Sequence, residues 1–218
     1  MRGGILSTIA KKNLDTRYIY IMISRTSTVP SKIIRAYTKE TYAHTSLALD
    51  LNLENMYSFA RKRIHNPIDC GFIYEDIETG IFGRDKDTIC RVYALSVTAK
   101  QYARIVEEID IFKKNQPKYS YNYKGIVGIM FNKPVVRDYK YFCSQFVAHV
   151  LEKSGIKLFE KNTALASPTD FKLALEDRMI YDGLLTEYRE YIKGYSVDDV
   201  EDIILGSQID DDIVIEAV

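Results

Sequence analysis

Apolar positions along the chain switch between two periods, and the switches mark its elements. Tyr18–Ile23 (YIYIMI) is an unbroken apolar run rich in β-formers, the pattern of a strand covered on both faces. Pro30 suits the first turn of a short helix through about Tyr37, with Ile33, Ile34 and Tyr37 on one side. From His44 to Asp50 the pattern alternates: Leu47 and Leu49 point one way, His44, Ser46, Ala48 and Asp50 the other. Leu51–Asn55 turns, and Met56–Arg61 reads as the antiparallel partner strand. Ile89–Ser96 is a further strand.

The period then changes to that of a helix. Thr98 and Gln101 have capping-box spacing ahead of a stripe of Tyr102, Ile105, Val106, Ile109 and Phe112, which Asn115-Gln-Pro117 ends. Another helix opens at Cys143, buries Phe146, Val147, Val150 and Leu151, and stops at Gly155. Ser167 and Pro168 are placed as N-cap and first residue of a third helix. Strands interrupted by helices without βαβ alternation predict an α+β fold.

Composition narrows the picture. The 218 residues suit one domain with a core of its own. Val197–Val218 holds eight acidic residues and no Lys or Arg, so Met1–Ser196 keeps 30 basic against 22 acidic residues, a charge of +8. The division expected is therefore a single domain over 1–196 and a solvated acidic tail over 197–218. Arg61, Lys62 and Arg63 cluster, but no nucleic-acid motif accompanies them, so no nucleic-acid partner is expected. No apolar run approaches the roughly 18 residues of a membrane span, Gly125–Phe131 being the best. No basic amphipathic helix of the membrane-surface kind stands out either. Met1–Lys12 reads as lacking an export signal. Cys70, Cys90 and Cys143 form neither a disulfide framework nor a zinc knuckle, so a reducing, cytoplasmic setting without metal or cofactor is expected.

Cys143 is the candidate nucleophile. In the first turn of a helix, unpaired N–H groups and the macrodipole favour a thiolate and can stabilise an oxyanion. The competing reading is a small buried hydrophobe. Of the three histidines, His149 lies about 240° around the same helix from Cys143, and His65 falls in a loop-like stretch. His44, on the small polar face of a strand, is the candidate base. A third group should orient its ring. Ser58, on the corresponding face of the partner strand, is chosen over the more distant Glu75. Tyr121 is either a cleft residue that donates toward an oxyanion or an ordinary core tyrosine.

Tyr42-Ala-His44-Thr-Ser-Leu-Ala-Leu, Tyr119-Ser-Tyr121-Asn, Tyr141-Phe-Cys143-Ser-Gln-Phe-Val and Ser167-Pro-Thr-Asp-Phe171 occur in that order. Together they resemble the circularly permuted papain-like, NlpC-type cysteine hydrolases, with the YiiX-like amidases nearest and the lecithin–retinol acyltransferase-like enzymes as relatives. The resemblance covers roughly Tyr18–Phe171. It implies an antiparallel sheet packed on helices, a nucleophile at a helix N-terminus, and a thioester formed by Cys143 with His44 as base. Tyr121 and Ser144 would then meet the substrate, a small peptide or acyl amide. The chain departs from the family where an orienting residue usually follows the base, offering Met56-Tyr-Ser-Phe-Ala60. Two alternatives are carried: an acyltransferase or lipid hydrolase using the same pair, and a binding module that has lost catalysis.

Overall fold

The computed structural model describes residues 16–26, 41–63 and 66–204. The helix expected near Pro30–Tyr37, and His65, lie outside the described residues. The strands are β1 (Thr16–Arg25), β2 (His44–Ala48), β3 (Met56–Arg63), β4 (Asn66–Glu75), β5 (Ile89–Thr98) and β8 (Met179–Leu184), joined in one sheet of order β4-β3-β2-β1-β5-β8. Every pairing in it is antiparallel. Short strands β6 (Ser120–Tyr121) and β7 (Lys140–Tyr141) pair in parallel apart from it. The helices are α1 (Gly80–Arg84), α2 (Ala99–Lys114), α3 (Tyr123–Met130), α4 (Cys143–Lys153), α5 (Pro168–Leu175) and α6 (Tyr188–Tyr191). The α+β architecture with an antiparallel sheet against helices is as the sequence pattern predicts.

Both faces of the sheet are covered, which is why β1 reads as continuous rather than alternating. Ile19, Ile21 and Ile23 join Leu47, Phe59 and Phe72 against α2, α4 and α5, with Ile105, Ile109, Phe112, Phe146 and Phe171 from the helices. Tyr20 and Met22 face the opposite way, with Ala48, Met56 and Val92, under Phe82, Tyr181 and Tyr188. The helix ends follow local chemistry. Thr98 and Gln101 close a capping box on α2, Ser167 and Asp170 close one on α5, and Gly155 takes φ 78° just past the end of α4.

The structure departs from the sequence reading in its C-terminal part and in elements that the pattern does not mark. The folded body does not stop at Ser196: Val200 and Ile203 are buried in the second core, and Glu201 accepts a hydrogen bond from Tyr18. Acidic residues mask a short apolar stripe there. β4 was also not expected, although Phe72 and Tyr74 alternate with Ile73 and Glu75.

Candidate active site

Cys143 is the first residue of α4, after Phe142 in extended conformation. The apolar face of that helix, Phe146, Val147 and Val150, seats it on the sheet beside the beginning of β2. The His44 ring lies close enough to the Cys143 sulfur to act on its ionisation, as do the backbone N–H groups of Thr45 and Ser144. The two residues that the sequence singled out, 99 positions apart, are thus brought together. The thiol is only 3% exposed, whereas the imidazole is 17% exposed.

The other side of the ring is held by Glu75. His44 Nε2 lies 2.8 Å from Glu75 Oε1, and Ser46 Oγ donates to Glu75 Oε2 at 2.5 Å. With Nε2 engaged, Nδ1 is the nitrogen left to exchange a proton with sulfur. The β2–β3 register pairs only Leu47 with Tyr57 and Ala48 with Met56. Beyond that short ladder, toward His44, the face that carries Ser46 and Ser58 holds small side chains, and Glu75 of β4 bonds across it to Ser46 and His44.

This corrects the expectation for Ser58. Its hydroxyl is buried beside the Glu75 carboxylate and helps to keep it ionised, but makes no hydrogen bond of ordinary geometry, and the partner of the ring's Nε2 is Glu75. A single hydroxyl has no charge with which to hold an imidazolium; a buried carboxylate has. Ser144 is corrected in the same way. Its Oγ donates to the Ala166 carbonyl at 2.7 Å, so the hydroxyl ties α4 to the chain ahead of α5 and is not offered to a cleft.

The electrostatics follow from this packing. Burial alone would lower the His44 pKa, but the Glu75 charge and hydrogen bonds to Cys143 and Glu75 outweigh it and hold the ring well above its ordinary value. Burial would raise the Cys143 thiol, yet the His44 hydrogen bond and charge and the two backbone N–H groups bring it below the usual thiol value. Burial would likewise raise Glu75, which His44, Ser46 and Ser58 pull down. The three groups together favour a carboxylate, an imidazolium and a thiolate.

Tyr121, on β6, lies near the sulfur, and burial together with the sulfur's charge keeps its phenol protonated well past its usual range. Its strand is fixed by Asn122, fully buried, whose Nδ2 donates to Gln145 Oε1 at 3.2 Å and to the Val135 carbonyl at 2.9 Å. His149 takes no part. It packs on Tyr141 and Phe112, and burial with Lys153 nearby lowers its pKa to about 4. Burial pushes the thiols of Cys70 and Cys90 up, the reverse of Cys143. A cavity of about 410 Å³ opens behind Glu75, bounded by Arg61, Ile73, Asp76 and Phe82; neither Cys143 nor His44 lines it.

No group of three or more His, Cys, Asp or Glu among the described residues is arranged to hold a metal ion. No helix among them is long and apolar enough to cross a membrane. No family model, no curated protein and no solved structure matches the chain.

Glu75 is the functional candidate that sequence reasoning passed over. Its signal was present in Gly71-Phe-Ile-Tyr-Glu75, a β-rich run whose one acid falls on the same face as Ser58 once the hairpin is drawn.

Proposed function

We propose that the chain is a thiol hydrolase of the permuted papain-like kind, cleaving an amide bond through a thioester on Cys143. The observation that carries this reading is the array of Cys143, His44 and Glu75, in which a helix-end thiol lies against a ring that a buried carboxylate holds at 2.8 Å from the other side. Such an array activates a weak nucleophile without a metal or cofactor.

In the first half-reaction the thiolate attacks the carbonyl carbon and the C=O electron pair moves to oxygen. First-turn N–H groups of α4 and the Tyr121 hydroxyl are the donors for that oxyanion. As the oxyanion collapses, the C–N bond breaks and Nδ1–H of His44 protonates the leaving amine. In the second half-reaction, Nδ1 takes a proton from water as its oxygen attacks the thioester carbonyl. Collapse then breaks the C–S bond, releasing the acid and restoring the thiolate–imidazolium pair. Glu75 stays ionised throughout and keeps Nε2 protonated and oriented. Cys70, Cys90 and Cys143 are joined in no disulfide, which suits a reducing compartment such as the cytoplasm.

Alkylation with iodoacetamide followed by peptide mapping tests this reading. Cys143 should be modified ahead of Cys70 and Cys90, with a rate that stays high below the pH at which a free thiol protonates. His44→Ala should abolish that preference. Uniform slow labelling, unaltered by His44→Ala, would leave an inert scaffold on this fold.

A further inference from the structure

The face formed by α3 and the loop that follows it is apolar at its tips and basic around them. Tyr123, Val127 and Phe131 recur every four residues along one side of the helix and are all at least about half exposed. Phe131 is 66% exposed, Val136 72% and Ile68, joined to this face by the Tyr123 hydroxyl on its carbonyl, 79%. Isolated exposed apolar residues need no explanation, but a contiguous set does.

The protrusion is built. Lys133 N donates to the Gly128 carbonyl at 2.9 Å, Asn132 adopts φ 51°, and Asn122 holds the Val135 carbonyl. A Cβ on Gly128 would come within 2.4 Å of the Lys133 carbonyl, so glycine permits the loop to fold back onto the helix. The charge around it is mostly basic, with Asp69 and Asp138 at its margin and Asp69 paired to Arg63 at 3.8 Å. From Gln116 to Arg137 there is no Asp or Glu, while Lys118, Lys124, Lys133 and Arg137 are present. Arg61 on β3, paired in register with Cys70, and Lys62 add to it.

We propose that this face docks the protein on an anionic lipid bilayer, with Phe131, Val127, Val136 and Ile68 entering the interface and the surrounding Lys and Arg meeting lipid phosphates and carboxylates. Exposed apolar tips with several cations around them fit a headgroup layer. They fit nucleic acid less well, because the most exposed members, Ile68 and Val136, are aliphatic and offer a base no ring to stack on. The basic amphipathic element is divided between a two-turn helix and a loop, which hides it from helical periodicity. Tyr123 contacts Tyr121, with ring centroids 5.0 Å apart, and Tyr121 lies near the Cys143 sulfur, so the docked face is close to the reacting atoms. Use of this surface to present a lipid acyl ester or amide to Cys143 rests on the thiol-hydrolase reading; docking itself does not.

Sedimentation of the full chain carrying Cys143→Ala with vesicles tests the proposal. Vesicles of phosphatidylcholine with phosphatidylserine should carry the protein down, pure phosphatidylcholine far less, and added salt should release it. Phe131→Ser with Val136→Ser should abolish sedimentation, and Lys124→Gln or Lys133→Gln should each weaken it about fivefold. All four positions are exposed, and an unchanged thermal melt verifies that each variant folds. Equal binding to both vesicle types, full binding by the Phe131/Val136 variant, or capture by a single-stranded oligonucleotide but not by vesicles overturns the proposal. Selective alkylation of Cys143 in the unaltered chain without vesicle binding would remove the docking and keep the hydrolase. Vesicle binding with unselective alkylation would do the reverse.

Discussion

Glu75 Oε1 lies 2.8 Å from His44 Nε2, and both groups are largely withdrawn from water, with side-chain exposures of 8% and 17%. A carboxylate in that position is paired, as a buried charge must be, and it makes the imidazolium the stable form of the ring. Replacing Glu75 by Gln keeps the shape and loses the charge. The apparent pKa of Cys143, read from the pH dependence of its alkylation, should then rise by at least about one unit, a tenfold loss of thiolate in the titrating range. An unchanged profile would show that the carboxylate does not set the state of the pair.

The same shifts act on stability, with opposite signs. Glu75 has a depressed pKa, so its contribution is present above its unfolded value and is lost as pH falls through the folded one. His44 has a raised pKa, so its contribution is complete below its unfolded value and is lost as pH rises through the folded one. With Cys143→Ala removing the thiol from the balance, the melting temperature should be highest between about pH 4.5 and 6.5 and decline on both sides. In the His44→Ala, Cys143→Ala variant the alkaline decline should disappear. Its persistence would place the responsible group elsewhere.

Much of this arrangement was legible in the chain. Alternation about Leu47 and Leu49 put His44 on the small polar face of β2, and the stripe of Phe146, Val147 and Val150 fixed Cys143 at the beginning of α4. Glu75 was harder to place because its role comes from β4 reaching beyond β3, and sequence period says nothing about which strand lies two away. Ser58 looked suitable because it shares the right face, yet a face is a plane and the hydrogen bond is a point. Ser144 shows the same limit: its position in the first turn was legible, but its acceptor, the Ala166 carbonyl, lies 22 residues further on.

Tyr121 gives a sharper test of the sulfur's surroundings. Tyr121→Phe leaves the ring that packs on Tyr123 and removes only the hydroxyl on Cys143. A hydrogen bond to a charged partner contributes roughly 1.5–3 kcal/mol, so the thiol pKa should rise by about one to two units. If the hydroxyl also serves the oxyanion, turnover of an activated ester at saturating pH should fall further than alkylation does. Equal losses in the two assays would confine Tyr121 to holding the thiolate.

Ser144 separates a structural role from a substrate-binding one. Its hydroxyl is buried and bonded to the Ala166 carbonyl, joining the nucleophile's helix to the segment ahead of α5. Ser144→Ala leaves that carbonyl short of a donor, at a cost of about 1–3 kcal/mol in unfolding free energy. The backbone N–H of residue 144, which meets the sulfur, remains, so the pH profile of Cys143 alkylation should not move. Chemical denaturation should accordingly show a lower midpoint at unchanged slope, with selective labelling intact. A variant of full stability with impaired substrate turnover would return Ser144 to the cleft.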